Sequence, residues 1–99
     1  MVRINWTSQA KDDLKNIADY ISRDSKMYAK REVLKIRNRT AILKSNKNTG
    51  KQVHEIGKKH IRELIEGNYR IMYKIVSENQ IDILTIHHSA RDLTRRTIE

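Results

Sequence analysis

Arginine and histidine come together late in this 99-residue chain, in the stretch from His60 to Leu93, HIRELIEGNYRIMYKIVSENQIDILTIHHSARDL. Arginine is always charged and presents a planar fork of donors to phosphate or carboxylate, while histidine is the one side chain that titrates near neutrality unaided. Arg62, Arg70, His88 and Arg91 are the residues of the stretch with something to offer an anion, His88 being the acid–base member. His87 points to the opposite face of any strand that persists so far. His54 and His60 come from the segment before the first strand of the stretch. No pair of histidines has the helical His-x-x-x-His spacing and the chain has no cysteine, so neither a metal site nor a cofactor is expected. The ordinary role of an arginine on a strand is to pair a carboxylate, and Glu63, Asp82 and Asp92 are available. A histidine at a strand end ordinarily caps it or faces solvent.

Such residues need a sheet to hold them. Ile61–Ile65, Tyr69–Val76 and Ile81 to about His87 read as strands, joined at Glu66-Gly67-Asn68 and Ser77-Glu78-Asn79-Gln80 by turns short enough for an antiparallel meander. Tyr69 and Tyr73 share parity with Ile71 and so belong to its face. At the other end of the chain Val2, Ile4 and Trp6 alternate with Arg3 and Asn5, a half-buried strand. Thr7 or Ser8 caps a helix with the apolar stripe Ala10, Leu14, Ile17, Ala18 and Ile21, which ends near Arg23; Asp12 and Asp13 are placed to suit its positive end. Ser25 caps a longer helix in which Ala29, Val33, Ile36, Thr40 and Leu43 keep a four-three rhythm toward a core. Met27, Leu34, Ala41 and Ile42 fall off that line, among Arg31, Arg37 and Arg39. Ser45–Lys51 breaks the pattern, and Gln52–Lys59 is polar with Val53 and Ile56 as anchors. One domain over residues 1–99 is expected, with two helices on one face of the sheet and the other face partly uncovered.

Formal net charge is +9, and the excess is local. From Met1 to Ser25 four basic residues meet four acidic ones, and from Ile61 onward six meet six. Between Lys26 and His60 there are eleven lysines and arginines against Glu32 and Glu55 alone. A one-sided segment of this kind steers toward polyanions: nucleic acid or an acidic protein surface. No apolar run approaches the roughly 18 residues of a membrane span and the start MVRINWTSQAKDD has no signal-peptide core, so a cytoplasmic protein without membrane contact is expected.

Four pieces in order resemble the RelE/ParE superfamily of bacterial type II toxins. AKDDLKNIADYI looks like its first helix, LKSNKNTGK its central loop, IRELIEGNYRIMYKI its hairpin and IDILTIHHSARDL its closing strand. Lys47 stands where the family loop usually has proline, which bears on loop stiffness. The resemblance implies an α+β fold of order β-α-α-β-β-β, with a helical hairpin on one face of a small, mainly antiparallel sheet. It implies a cognate antitoxin, and a target that is DNA gyrase for ParE-like members or mRNA on the ribosome for RelE-like ones. Cutting RNA through its 2′-hydroxyl needs a base, a cation for the phosphorane and an acid for the leaving oxygen. In a RelE-like enzyme, which uses no metal, those roles would fall to Arg70, His88 and Arg91, with Arg62 assisting. RelE-like nucleases often carry a late tyrosine, and RDLTRRTIE has none; its absence and the long helical hairpin point to the ParE-like branch, which has no nuclease chemistry. The antitoxin is expected across the helices and the sheet's open face, with Met27, Leu34 and Ala41 as apolar anchors and Arg31, Arg37 and Arg39 meeting acidic residues. A non-toxic nucleic-acid or protein-binding module with the same fold is the third reading.

Overall fold

A computed structural model describes residues 2–54 and 56–88. The chain runs β1 (Arg3–Trp6), α1 (Ser8–Ser22), α2 (Lys26–Ala41), β2 (Lys51–Gln52), β3 (Ile61–Glu66), β4 (Tyr69–Ser77) and β5 (Gln80–His88), with a 3-10 turn at Ile42–Lys44 extending α2. Both helices start on the hydroxyls the sequence offers. Thr7 Oγ accepts from the Ala10 amide at 3.2 Å, and Ser25 Oγ from the Tyr28 amide at 3.1 Å. The Thr7 hydroxyl also donates to the Ile83 carbonyl at 2.7 Å, which ties the start of α1 to β5.

The strands form one sheet in the order β1-β5-β4-β3-β2. β3, β4 and β5 are the expected antiparallel meander, β2 adds an antiparallel edge beside β3, and β1 pairs with β5 in parallel, so the sheet is mixed. Ala29, Ile36, Thr40 and Leu43 turn inward, as their spacing requires, and Ile36 and Leu43 share one core with Ala10 and Leu14 of α1. Beneath them lie Leu64, Ile71, Tyr73, Ile81, Ile83 and Ile86, with Val33 and Tyr69 at the margin. Burying one leucine or isoleucine in such a layer contributes roughly 1.5–3 kcal/mol.

The second face of the sheet has a small core of its own. Val53, Ile61 and Met72 are fully buried, with Ile56 and Leu84 packed on them. The polar segment after β2 thus folds over this face, using the two apolar residues it possesses. The preceding loop is pinned from the helical side: the Tyr73 hydroxyl donates to the Lys47 carbonyl at 2.8 Å and accepts from the Gly50 amide at 3.0 Å. Arg62 Nη1 donates to the Gly50 carbonyl at 2.8 Å.

Asp13 does not serve the helix dipole as its position near the start of α1 led one to expect. It is buried, and its Oδ2 accepts from the Thr85 hydroxyl at 2.5 Å and the Ile86 amide at 3.0 Å. β1 pairs with β5 only as far as Trp6 opposite Ile83. Beyond that point the carboxylate takes the place of a neighbouring strand. At the opposite edge β2 covers only Arg62 and Glu63, and Arg39 Nε reaches across to the Ile65 carbonyl at 3.3 Å.

Candidate functional site

Cross-strand partners project to the same face of a sheet, so the pairing registers place each candidate residue. Arg62 pairs with Tyr73, a member of the helix-side core. Arg70 pairs with Ile65 on one side and His87 on the other, and shares the second face with Met72. His88 pairs with Tyr69, whose ring it meets edge-on with centroids 5.7 Å apart, on the helix side. The expected convergence of Arg62, Arg70 and His88 on one open face therefore does not occur: Arg70 lies on one side of the sheet, Arg62 and His88 on the other. His87, 3% exposed, is the histidine in register with Arg70. Arg91 lies outside the described residues.

The cause of the exchange between His87 and His88 is a register shift. Tyr73 faces Ile83 while Met72 faces Thr85, so Leu84 is an extra residue in β5. One inserted residue reverses the parity of everything after it.

Arg70 is also engaged. Its Nε and Nη2 donate to Glu63 Oε1 and Oε2 at 3.0 and 2.6 Å, a bidentate pair whose side chains are 12% and 6% exposed. The guanidinium fork that would grip a phosphate grips a carboxylate instead. Among the described residues no group of three or more histidines, aspartates or glutamates is arranged to hold a metal ion.

The helical hairpin presents a different surface. Met27 and Leu34 are 75% and 50% exposed, and Arg31, Arg37 and Ala41 are exposed beside them; Arg39 is half-buried at the sheet edge. Seven-residue spacing puts Met27, Leu34 and Ala41 on one stripe of α2. Next to it a groove runs between the helices. Its floor is Trp6, Leu14, Ala18, Ala29 and Val33, and its rims carry Lys11, Lys15 and one carboxylate, Asp19, from α1 and Lys26, Lys30 and Arg37 from α2. The Arg37 guanidinium lies over the Trp6 ring, 5.9 Å from its centroid. The α1 half of this surface escapes a reading of α2 alone, although Lys11 and Lys15, four residues apart beside the apolar stripe, mark it in the sequence. At the far end of the hairpin Tyr28 and Tyr69 both lie near Glu32. Hydrogen bonding to that carboxylate, and its charge, raise the Tyr28 pKa; burial first, then the Glu32 charge, raise that of Tyr69.

Comparison with curated proteins returns no match. Among solved structures the chain is similar to one described as a chromosomal ParDE TA system from P. aeruginosa, at 25% identity and a TM-score of 0.73, covering 89% of this chain and 96% of that one. A family model described as the ParE toxin of the type II toxin-antitoxin system parDE matches residues 4–93. With the match spanning nearly all of the sequence and the hairpin-on-sheet fold in common, the chain belongs to the ParE toxin family of type II toxin–antitoxin systems.

Proposed function

We propose that this toxin inhibits DNA gyrase in the cytoplasm and is neutralised by a cognate antitoxin that docks on the helical hairpin. The observation that carries the docking is the pairing of exposed apolar and cationic side chains there. Met27 and Leu34 stand in water next to Arg31 and Arg37, alongside an apolar groove with lysines on both rims. An acidic amphipathic segment complements both features, its apolar side chains supplying affinity and its carboxylates orientation and on-rate. The gyrase target rests on family membership. The bidentate hold of Glu63 on Arg70 supports it against the mRNA interferase reading, which needs that guanidinium for phosphate.

Purified toxin should inhibit gyrase-dependent DNA supercoiling, and equimolar antitoxin from the neighbouring open reading frame should restore it. Unimpaired supercoiling with folded toxin would remove the gyrase reading, and codon-phased mRNA ends after induction would replace it with ribosome-dependent cleavage. The double variant Arg31→Glu, Arg37→Glu should weaken antitoxin binding by about tenfold or more, since close interfacial charge pairs couple by about 1.5 kcal/mol upward. Unchanged affinity would place the antitoxin elsewhere.

A further inference from the structure

The two ends of the sheet differ in chemistry. β1, β3 and β5 begin and β4 finishes at the same end, as the registers Arg3↔Gln80, Ile61↔Lys74 and Ser77↔Gln80 require. Cations gather there from five separate segments. Arg3 donates to Gln80 Oε1 at 3.1 Å, and Lys47 Nζ lies 3.5 Å from the Glu78 carbonyl. The Lys58 carbonyl accepts from the Ile61 amide, which sets Lys58 and Lys59 at the head of β3. Lys74 stands opposite Ile61, and Lys44 arrives on the 3-10 turn that packs beside β1. The described acids at this end are Glu78 and Asp82; Asp82 accepts from Asn5 and Gln80, and Lys58 and Lys74 have partners of their own, so the cations that would meet a ligand are Arg3, Lys44, Lys47 and Lys59.

What this end lacks narrows the ligand. Trp6 is at the far end of β1, Tyr73 is buried, and Tyr28, Tyr69 and the exposed Tyr20 gather toward Glu32 at the opposite end, so among the described residues no exposed tyrosine or tryptophan stands here to stack a base; the exposed ring at the head of β3 is the imidazole of His60, which has a partner of its own. A single-strand site is built on such platforms. A protein interface is built on buried apolar anchors, and among the described residues the large apolar ones exposed nearby are Val76 and Ile42. Regularly spaced phosphates need cations and nothing else. We infer that this end of the sheet binds the phosphodiester backbone of duplex nucleic acid without reading its sequence. None of these cations lines the hairpin groove, and the inference is independent of the gyrase reading.

The test is fluorescence anisotropy with a labelled 20-base-pair DNA duplex, an RNA duplex of the same sequence, and the corresponding single strand, between 50 and 200 mM NaCl. Duplex binding should weaken with salt at a log–log slope of about −0.9 for each phosphate engaged, hence about −3 for three or four contacts. Lys44→Glu, Lys47→Glu, Lys59→Glu together should lower duplex affinity more than about tenfold and flatten the slope by nearly 3, about 0.9 for each lysine. Lys11→Glu, Lys15→Glu, Lys30→Glu together make the same change in net charge on the hairpin and should cost less than about threefold, because charges more than roughly 10 Å from the contact are screened. Circular dichroism establishes that both triple variants are folded. Equal preference for the two duplexes, or preference for one, agrees with the inference and identifies the source. Absence of binding at 50 mM NaCl, equal losses in the two triple variants, or tighter binding of the single strand would each overturn it.

Discussion

Glu63 and Arg70 face each other diagonally across β3 and β4 with little water near either. Breaking a buried pair strands one charge, so Arg70→Ala should destabilise the fold by about 3–5 kcal/mol, measured as a lowered urea midpoint. An arginine poised only for chemistry would leave that midpoint nearly where it was. Tyr73→Phe tests a second buried contact. It keeps the ring but leaves the Gly50 amide and Lys47 carbonyl without the hydroxyl, at a cost of about 1–3 kcal/mol. Gly50 tolerates no side chain at this contact, since a Cβ there would stand 2.5 Å from the Glu63 carbonyl oxygen and 2.7 Å from the Tyr73 ring. Burial raises the Tyr73 pKa above its ordinary value, the Gly50 hydrogen bond and the Arg62 charge opposing it. The unfolded phenol ionises near pH 10 and the folded one above that, so the stability it contributes is complete at neutral pH and is lost as pH climbs past about 10. Denaturant titrations across pH 9–11 should therefore show a shallower alkaline decline in Tyr73→Phe.

At the scale of elements, Asp13 joins α1 to the part of β5 that β1 leaves unpaired. Asp13→Ala removes the acceptor for the Thr85 hydroxyl and the Ile86 amide, and hydrogen bonds to charged groups are worth about 1.5–3 kcal/mol each. Amide exchange at Ile86 should accelerate more than at Ile71, which sits inside the sheet; equal acceleration would mean that the clamp opens only with the whole molecule. Elements of this kind differ in how far the sequence exposes them. The rhythm of Ala29, Ile36, Thr40 and Leu43, the hydroxyl caps and the two short turns of the meander are local signals, and each is realised as read. The covering role of Val53 and Ile56 is not local, because it depends on Met72 and Leu84 arriving beneath them. The bulge at Leu84 has no signature of its own in QIDILTIHH, yet it decides which histidine shares a face with Arg70. Membership of the family was legible; the arrangement of the anion-binding candidates was not.

For the molecule as a whole, the net charge of +9 is a repulsive term that folding must overcome. Raising NaCl from 0.05 to 0.5 M screens it and should lift the thermal midpoint by several degrees, since each kcal/mol is worth about 4–8 °C in a protein of this size. A midpoint that falls instead would mean that attractive pairs such as Glu32–Lys35, at 3.9 Å, outweigh the repulsion. The same chemistry bears on how the toxin keeps from joining itself. β2 shields two residues of β3, and past them the strand would present its backbone to any neighbouring chain, beside an Ile65 side chain that is 43% exposed. Arg39 closes that stretch by hydrogen-bonding the Ile65 carbonyl and placing a charge on the edge. Arg39→Ala should therefore leave the fold intact but raise self-association of the free toxin, read as a hydrodynamic radius that grows with concentration; an unchanged radius would mean that β2 alone protects the edge.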